Sequence, residues 1–308
     1  MSWGPEDIPD LSGRQALVTG VTSGLGEAVV ETMARHGARV LMAARNEAKL
    51  ARSIEQVERD VPGAQVRPLI IDLTDLSSVR RAAAEASRHG PLHLLVNNAG
   101  VMATPYERTV DGFEQQFATN VLGHFALTGL LLPRLVEGGT EGLGDARVVS
   151  VASQMHRLAR EAPLQDPRVQ GGRYRRWPAY AQTKLSNLMF TFELDRRARE
   201  AGLPVTAMAA HPGLSATGLM ASGQRTLVAG RILDAAFATL GQSASSGALP
   251  LLMAATADLP GASYVGPGGF AEVRGAPRVV GTSRVARDPQ AARRLWEIAQ
   301  DATGVVYP

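Results

Sequence analysis

Tyr180 and Lys184 stand four residues apart in the run Tyr180-Ala181-Gln182-Thr183-Lys184. On a helix, positions i and i+4 share a face, so the ammonium can lie beside the phenol. The chain carries 32 lysines and arginines in 308 residues, yet only Lys49 and Lys184 are lysine. Lysine is a compact point charge with movable donors, whereas arginine is a bulky planar fork, so a tight site can require the one and refuse the other. The pair is therefore a candidate acid–base centre. A free phenol titrates near pH ~10, and a neighbouring cation brings it closer to neutrality.

A second chemical signal is Thr19-Gly20-Val21-Thr22-Ser23-Gly24-Leu25-Gly26, between an apolar run and a helical one. Glycines there let the chain turn sharply and let backbone approach a pyrophosphate, which the following helix N-terminus attracts. The competing reading is a tight strand–helix turn and nothing more. Folds that bind NAD usually place an acid about 20 residues further on, to hold the ribose 2′-hydroxyl. Here the second strand ends Ala43-Ala44-Arg45-Asn46. Arg45 can pair with a 2′-phosphate that an aspartate would repel, so NADP(H) is the expected cofactor and NAD the less favoured one. A solvated arginine at a strand end is the alternative. Asp72 can offer a carboxylate oxygen or its N–H to an adenine rim, with Leu73 packing nearby; helix N-capping by Asp72 or Asp75 competes with that role.

These residues need a scaffold, and the sequence supplies one. Strands are predicted at 15–19, 39–44, 66–71, 92–97, 147–151, 205–210 and 263–265. Helices are predicted at 25–36, 47–60, 76–89, 113–136, 179–201 and 243–257. Continuous apolar strands alternating with amphipathic helices indicate an α/β fold, a doubly wound, mostly seven-stranded parallel sheet with helices on both faces. Asp288 and Pro289 open a last helix that Gly304 ends, packing Leu295, Trp296 and Ile298 on the body. A single domain over 14–308 is expected, after an extension over 1–13 and ending in a C-terminal extension over about 267–308.

Composition narrows the function classes. No cysteine is present, which excludes disulfides, thiolate metal sites and cysteine nucleophiles. The six histidines show no metal-ligand spacing, and a net charge of +3 with dispersed basic residues argues against nucleic acid. The run 173–176 is the densest basic stretch and reads as a solvated loop. With no apolar leader after Met1 and no run of about 18 apolar residues, a cytoplasmic protein without a strong membrane signal is expected.

Taken together, the chain from Gly13 onward resembles the short-chain dehydrogenase/reductase family. The resemblance rests on the Thr19–Gly26 loop, Asn97-Asn98-Ala99-Gly100, Asn120, Ser153, Tyr180 with Lys184, and His211-Pro212-Gly213. The stretch Phe117–Phe125 and the long interval from Ser153 to Tyr180 are similar to its retinol-dehydrogenase-like branch, with protochlorophyllide reductases nearby. It implies a Rossmann fold and hydride transfer involving nicotinamide. Tyr180 is then the acid or base, Lys184 lowers its pKa and holds the nicotinamide ribose, and Ser153 binds the substrate oxygen. Asn120, poorly explained mid-helix by propensity, is implied to hold a water that links Lys184 to solvent.

Cofactor contacts are implied for Gly20, Thr22, Ser23, Gly24, Leu25, Gly26, Asn98, Ala99, Gly100, Pro212, Gly213 and Thr217. His156 follows Ser153 closely and reads as a surface or loop-packing residue. The apolar stretch over about 214–243 is expected to be a substrate lid over a small hydrophobic carbonyl or alcohol, against the plainer reading of an amphipathic core helix. The resemblance leaves assembly open between monomer, homodimer and homotetramer. A non-catalytic NADP(H) sensor on the same fold is the competing function.

Overall fold

The alternating pattern folds into one sheet in a computed structural model that describes residues 3–142, 144–168, 173–214 and 242–308. Strands β1 (Gln15–Thr19), β2 (Arg39–Ala44), β3 (Gln65–Ile70), β4 (Leu94–Asn97), β5 (Ala146–Val151), β6 (Val205–Ala210), β7 (Tyr264–Pro267) and β8 (Pro277–Val279) lie in the order β3-β2-β1-β4-β5-β6-β7-β8. The first seven pair in parallel, as the sequence predicts. The eighth is a correction: β8 runs antiparallel to β7 at the sheet edge. Three residues beginning with proline carry too little alternation to be read as a strand, and an edge is where a proline is tolerated.

Successive strand residues face opposite sides and feed two cores. Leu17, Leu41, Leu95 and Val148 meet helices α3 (Leu76–Ser87), α4 (115–140), α5 (Arg176–Glu200) and α7 (Pro289–Thr303). Ala16, Val40, Leu94 and Val149 meet α1 (Gly24–Arg35), α2 (Glu47–Asp60) and α6 (Ala244–Thr256). The strand order reverses beside β1, between β2 and β4, and the crevice beyond the carboxyl ends of those strands is where such sheets take ligands.

Two helices depart from their expected form. Helix α4 is built of three consecutive pieces, Gln115–Phe117, a π-helical turn Ala118–Leu122 and Gly123–Thr140. Within it Gly123 N–H reaches back five residues to Ala118 O. π-Turns of this kind gather at functional sites, and Asn120 sits in the middle of this one. Helix α5 begins three residues before the predicted start, because a first-turn Pro178 costs no helical hydrogen bond. At the C-terminus, Asp288 caps α7 through Gln290 N and Ala291 N, and Gly304 ends it in the left-handed region. Leu295, Trp296 and Ile298 are buried as expected. Trp296 packs edge-on to Phe125, and the Tyr307 hydroxyl donates to Phe125 O, so the chain end pins α4 just past its π-turn. Among the described residues, no helix is long and apolar enough to cross a membrane.

Candidate active site

At the end of β1 the chain turns at Gly20 in the left-handed region and enters α1 at Gly24. A Cβ at Gly26 would collide with Gly20 O and sit 2.6 Å from Asn98 Nδ2, so only glycine lets the helix approach the loop this closely. The loop is also braced from β4. Asn98 Nδ2 donates to Thr19 O (2.7 Å) and Gly20 O (3.2 Å), and the Thr19 hydroxyl accepts from Asn98 N and Ala99 N. Asn97, by contrast, turns away and donates to Thr128 inside the core.

A cavity of about 540 Å³ runs from this loop across the carboxyl edge of the sheet. Gly20, Thr22, Ser23, Leu25 and Gly26 line one end, together with Arg45, Asp72 and Leu73. Asn98, Ala99 and Gly100 line its middle, and Ser153, Tyr180, Lys184, Pro212 and Gly213 line the remainder. Of the two aspartates weighed as helix caps, Asp75 takes that role, and the Asp72 N–H donates to Ser78 Oγ (3.0 Å). Asp75 caps α3 through Ser77 N, while Asp72 closes a local turn onto Thr74 and lines the cavity. Gly24 and Asn120 are not among the residues that line it. Thr217 and positions 215–241 of the expected lid lie outside the described residues.

Helix α5 presents Tyr180, Thr183, Lys184 and Asn187 on one face. Lys184 is buried, and its Nζ donates to Val151 O at 2.8 Å, an oxygen that Asn187 Nδ2 also reaches. Among the described residues no carboxylate pairs with this ammonium, and burial lowers its pKa to about 8. Tyr180 is equally buried. Burial pushes its phenol up to about 12, opposed only by a hydrogen bond with the Ser153 side chain. The resemblance implies that Lys184 pulls that value down; here Lys184 Nζ lies 5.7 Å from the ring centroid, and desolvation dominates.

Asn120 fastens the neighbouring wall. Its Oδ1 accepts from Val101 N (2.8 Å), and its Nδ2 donates to Val101 O and Thr183 Oγ1 (3.0 Å each). The π-turn leaves Asn120 O for His124, whose Nδ1–H donates to it at 3.3 Å. The other ring nitrogen then accepts from the Thr19 hydroxyl (3.0 Å). His124 is buried, and its pKa falls to about 4, chiefly from burial. One neutral imidazole thus joins the π-turn to the phosphate loop, a link that spacing alone could not disclose.

Ser153 caps the short helix Gln154–Leu158 by accepting from Met155 N. His156 is fully buried rather than at the surface: its Nδ1–H donates to Ser153 O (2.7 Å), and its Nε2 accepts from Ser283 N. The basic run is exposed at Arg173, Arg175 and Arg176, as expected of a solvated loop. Met102, Met155, Trp177, Leu214, Glu272 and Val273 also line the cavity, although no motif in the sequence marks them. They come from stretches far apart in sequence, and only the fold assembles them.

The cavity suits a dinucleotide. One end offers a glycine turn and a helix N-terminus to phosphate, and the other holds a buried ammonium able to donate to hydroxyls.

Comparisons with known proteins agree with this geometry. Residues 14–162 match the family model for short chain dehydrogenases. Polyprenol dehydrogenase of Mus musculus is 38% identical over 97% of this chain and 87% of its own length. Retinol dehydrogenase 12 of the same species is 34% identical over 96% and 88%. The crystal structure of an uncharacterized protein from Mycobacterium paratuberculosis shares 42% identity, covers 100% of both chains and superposes with a TM-score of 0.80.

Proposed function

The chain belongs to the short-chain dehydrogenase family, in its retinol-dehydrogenase-like branch, and from that premise we propose an NADP(H)-dependent oxidoreductase for hydrophobic carbonyls and alcohols. Family membership makes it an oxidoreductase; the cofactor preference, the acid–base assignment and the substrate class are our reading. One observation carries that reading. A buried phenol bonded to Ser153 faces the same cavity as a buried ammonium with no carboxylate beside it among the described residues.

The bound cofactor supplies the hydride. Ser153 donates to the substrate oxygen and steadies the charge that grows there. Tyr180, still protonated well above neutral pH, passes its proton to that oxygen as the carbonyl is reduced. Alcohol oxidation needs the phenolate instead, which burial opposes unless positive charge is close. Lys184, its pKa lowered to about 8 by burial, would hold the ribose hydroxyls of the bound cofactor and return a proton to Tyr180.

Arg45 supports NADP(H): it is exposed at the end of β2, lines the cavity and makes no ion pair among the described residues. Met102, Met155, Trp177, Leu214 and Val273 support an apolar substrate.

Purified protein should consume NADPH with some member of a panel of hydrophobic ketones and aldehydes. Binding without consumption on every member would make it a dinucleotide sensor instead. Arg45→Asp should move the NADP/NAD affinity ratio about tenfold toward NAD, as expected for loss of a charge-assisted pair; an unchanged ratio would make Arg45 a plain surface charge. Cytoplasmic placement is likewise proposed, and recovery in the membrane pellet of fractionated cells would contradict it.

A further inference from the structure

Beyond the reactive residues, one carboxylate holds two walls of the cavity together. Glu272 lies past β7 in the turn Phe270–Glu272 and lines the cavity. From the segment that follows Ser153 it receives Arg157 Nη2 at 3.2 Å and Gln154 Nε2 at 3.2 Å, and the same Gln154 amide donates to Ala271 O at 2.7 Å. From the loop after β6 it faces His211 Nε2 at 3.1 Å.

The direction of that last bond is fixed. Gly213 N–H can only donate, so His211 Nδ1 accepts it (3.2 Å), and Nε2 must carry the hydrogen that goes to Glu272. The next residue, Val273, accepts from Leu214 N at 2.9 Å. The turn therefore grips the segment carrying Ser153 with one hand and the Pro212–Leu214 loop with the other.

The backbone reports the tension of this arrangement. Ala271 (φ 48°) and Glu272 (φ 54°) are consecutive non-glycine residues in the left-handed region. Such conformations persist where surrounding contacts over-determine them, and they concentrate around functional sites.

We infer that Glu272 is a positioning residue for the nicotinamide end of the site, a strap that sets the spacing between the Ser153 segment and the Pro212–Gly213 loop. The inference rests on the dinucleotide reading above. The strap touches none of the residues at the phosphate end, so its loss acts on one half of the bound molecule.

Fluorescence titration of the full chain with NADPH, alongside competition by adenosine 2′,5′-bisphosphate, separates the halves. Glu272→Gln should weaken NADPH about tenfold and leave the bisphosphate within about twofold. Equal weakening of both, which a general loss of structure produces, overturns the inference, and so does no change in either. Arg157→Ala removes a donor that does not line the cavity, and it should shift the same ratio about threefold even if Glu272→Gln fails to fold. An unmoved ratio there also overturns it. Wild-type protein that binds neither probe would instead defeat the dinucleotide reading, and the strap with it.

Discussion

The two ends of the cavity are built from different materials. The phosphate end is backbone: a glycine turn, a helix N-terminus and carbonyls braced by Asn98. The opposite end is side chain: Ser153, Tyr180, Lys184, Asn120 and Glu272, delivered by separate stretches of the chain and locked by hydrogen bonds among buried groups. Arg45 apart, a site made of backbone tolerates almost any change except one that adds bulk. A side-chain site tolerates bulk at its rim but no change of functional group. The two ends should therefore fail differently when they are mutated.

The sharpest break between them is Tyr180→Phe. Losing the general acid should cost about 10²–10⁴ in turnover, while NADPH affinity stays within a few-fold, because the phosphate end is untouched. Stopped-flow NADPH oxidation and fluorescence titration read the two quantities separately. A Tyr180→Phe variant with near wild-type turnover would sink the acid–base assignment. Gly26→Ala is the mirror image. Its new Cβ would collide with Gly20 O, so the loop must shift. Dinucleotide affinity should fall about tenfold to a hundredfold, some 1.4–3 kcal/mol, with the Tyr180–Ser153 contact intact. An alanine variant that binds NADPH as wild type does would show that the loop is not the phosphate cradle.

The same division explains what can be read in advance. Gly20, Gly24 and Gly26 signal through local spacing, since the turn they make is a property of eight consecutive residues. Tyr180 and Lys184 are visible because a helix converts four residues of sequence into one face. Glu272 carries no such signal: its partners Arg157 and His211 lie 115 and 61 residues away, and nothing in Phe270-Ala271-Glu272 marks it as other than a surface turn. The π-turn at Asn120 is hidden for a related reason. Hydrophobic periodicity shows that a helix exists, but the extra residue in this turn goes with hydrogen bonds from Asn120 to Val101 and Thr183, partners that no local pattern discloses. The edge strand β8 is too short to show a period at all.

Buried charge at the side-chain end carries a stability cost that the phosphate end does not. Lys184 has its pKa lowered from 10.5 to about 8 by burial. Between those values the unfolded chain binds the proton more readily, so stability rises with pH across the window and the penalty is complete below it. Lys184→Met should abolish turnover and yet melt higher at pH 7, by up to about 3 kcal/mol. The gain should shrink as pH climbs from 8 to 10.5. Thermal melts across that range check it, and a methionine variant less stable than wild type at pH 7 would mean that the bond to Val151 O outweighs desolvation.

His124 gives the smallest effect and tests whether the two ends communicate. Its pKa is lowered from 6.5 to about 4 by burial, so it is neutral in the folded protein wherever the fold is stable. As pH falls below 6.5 the unfolded chain takes up this proton first, and stability present above 6.5 is lost progressively down to about 4. His211, lowered to about 3 by burial, acts in the same sense. Each histidine adds up to one proton to the slope, roughly 1.4 kcal/mol per pH unit. His124→Gln keeps an amide that can still donate to Asn120 O and accept from Thr19, but removes the titration. Urea melts between pH 4 and 6.5 should show its slope reduced by about one proton. If that variant also weakens NADPH, the imidazole couples the π-turn to the phosphate loop; if binding holds while the slope falls, the backbone end stands independently of the side-chain end.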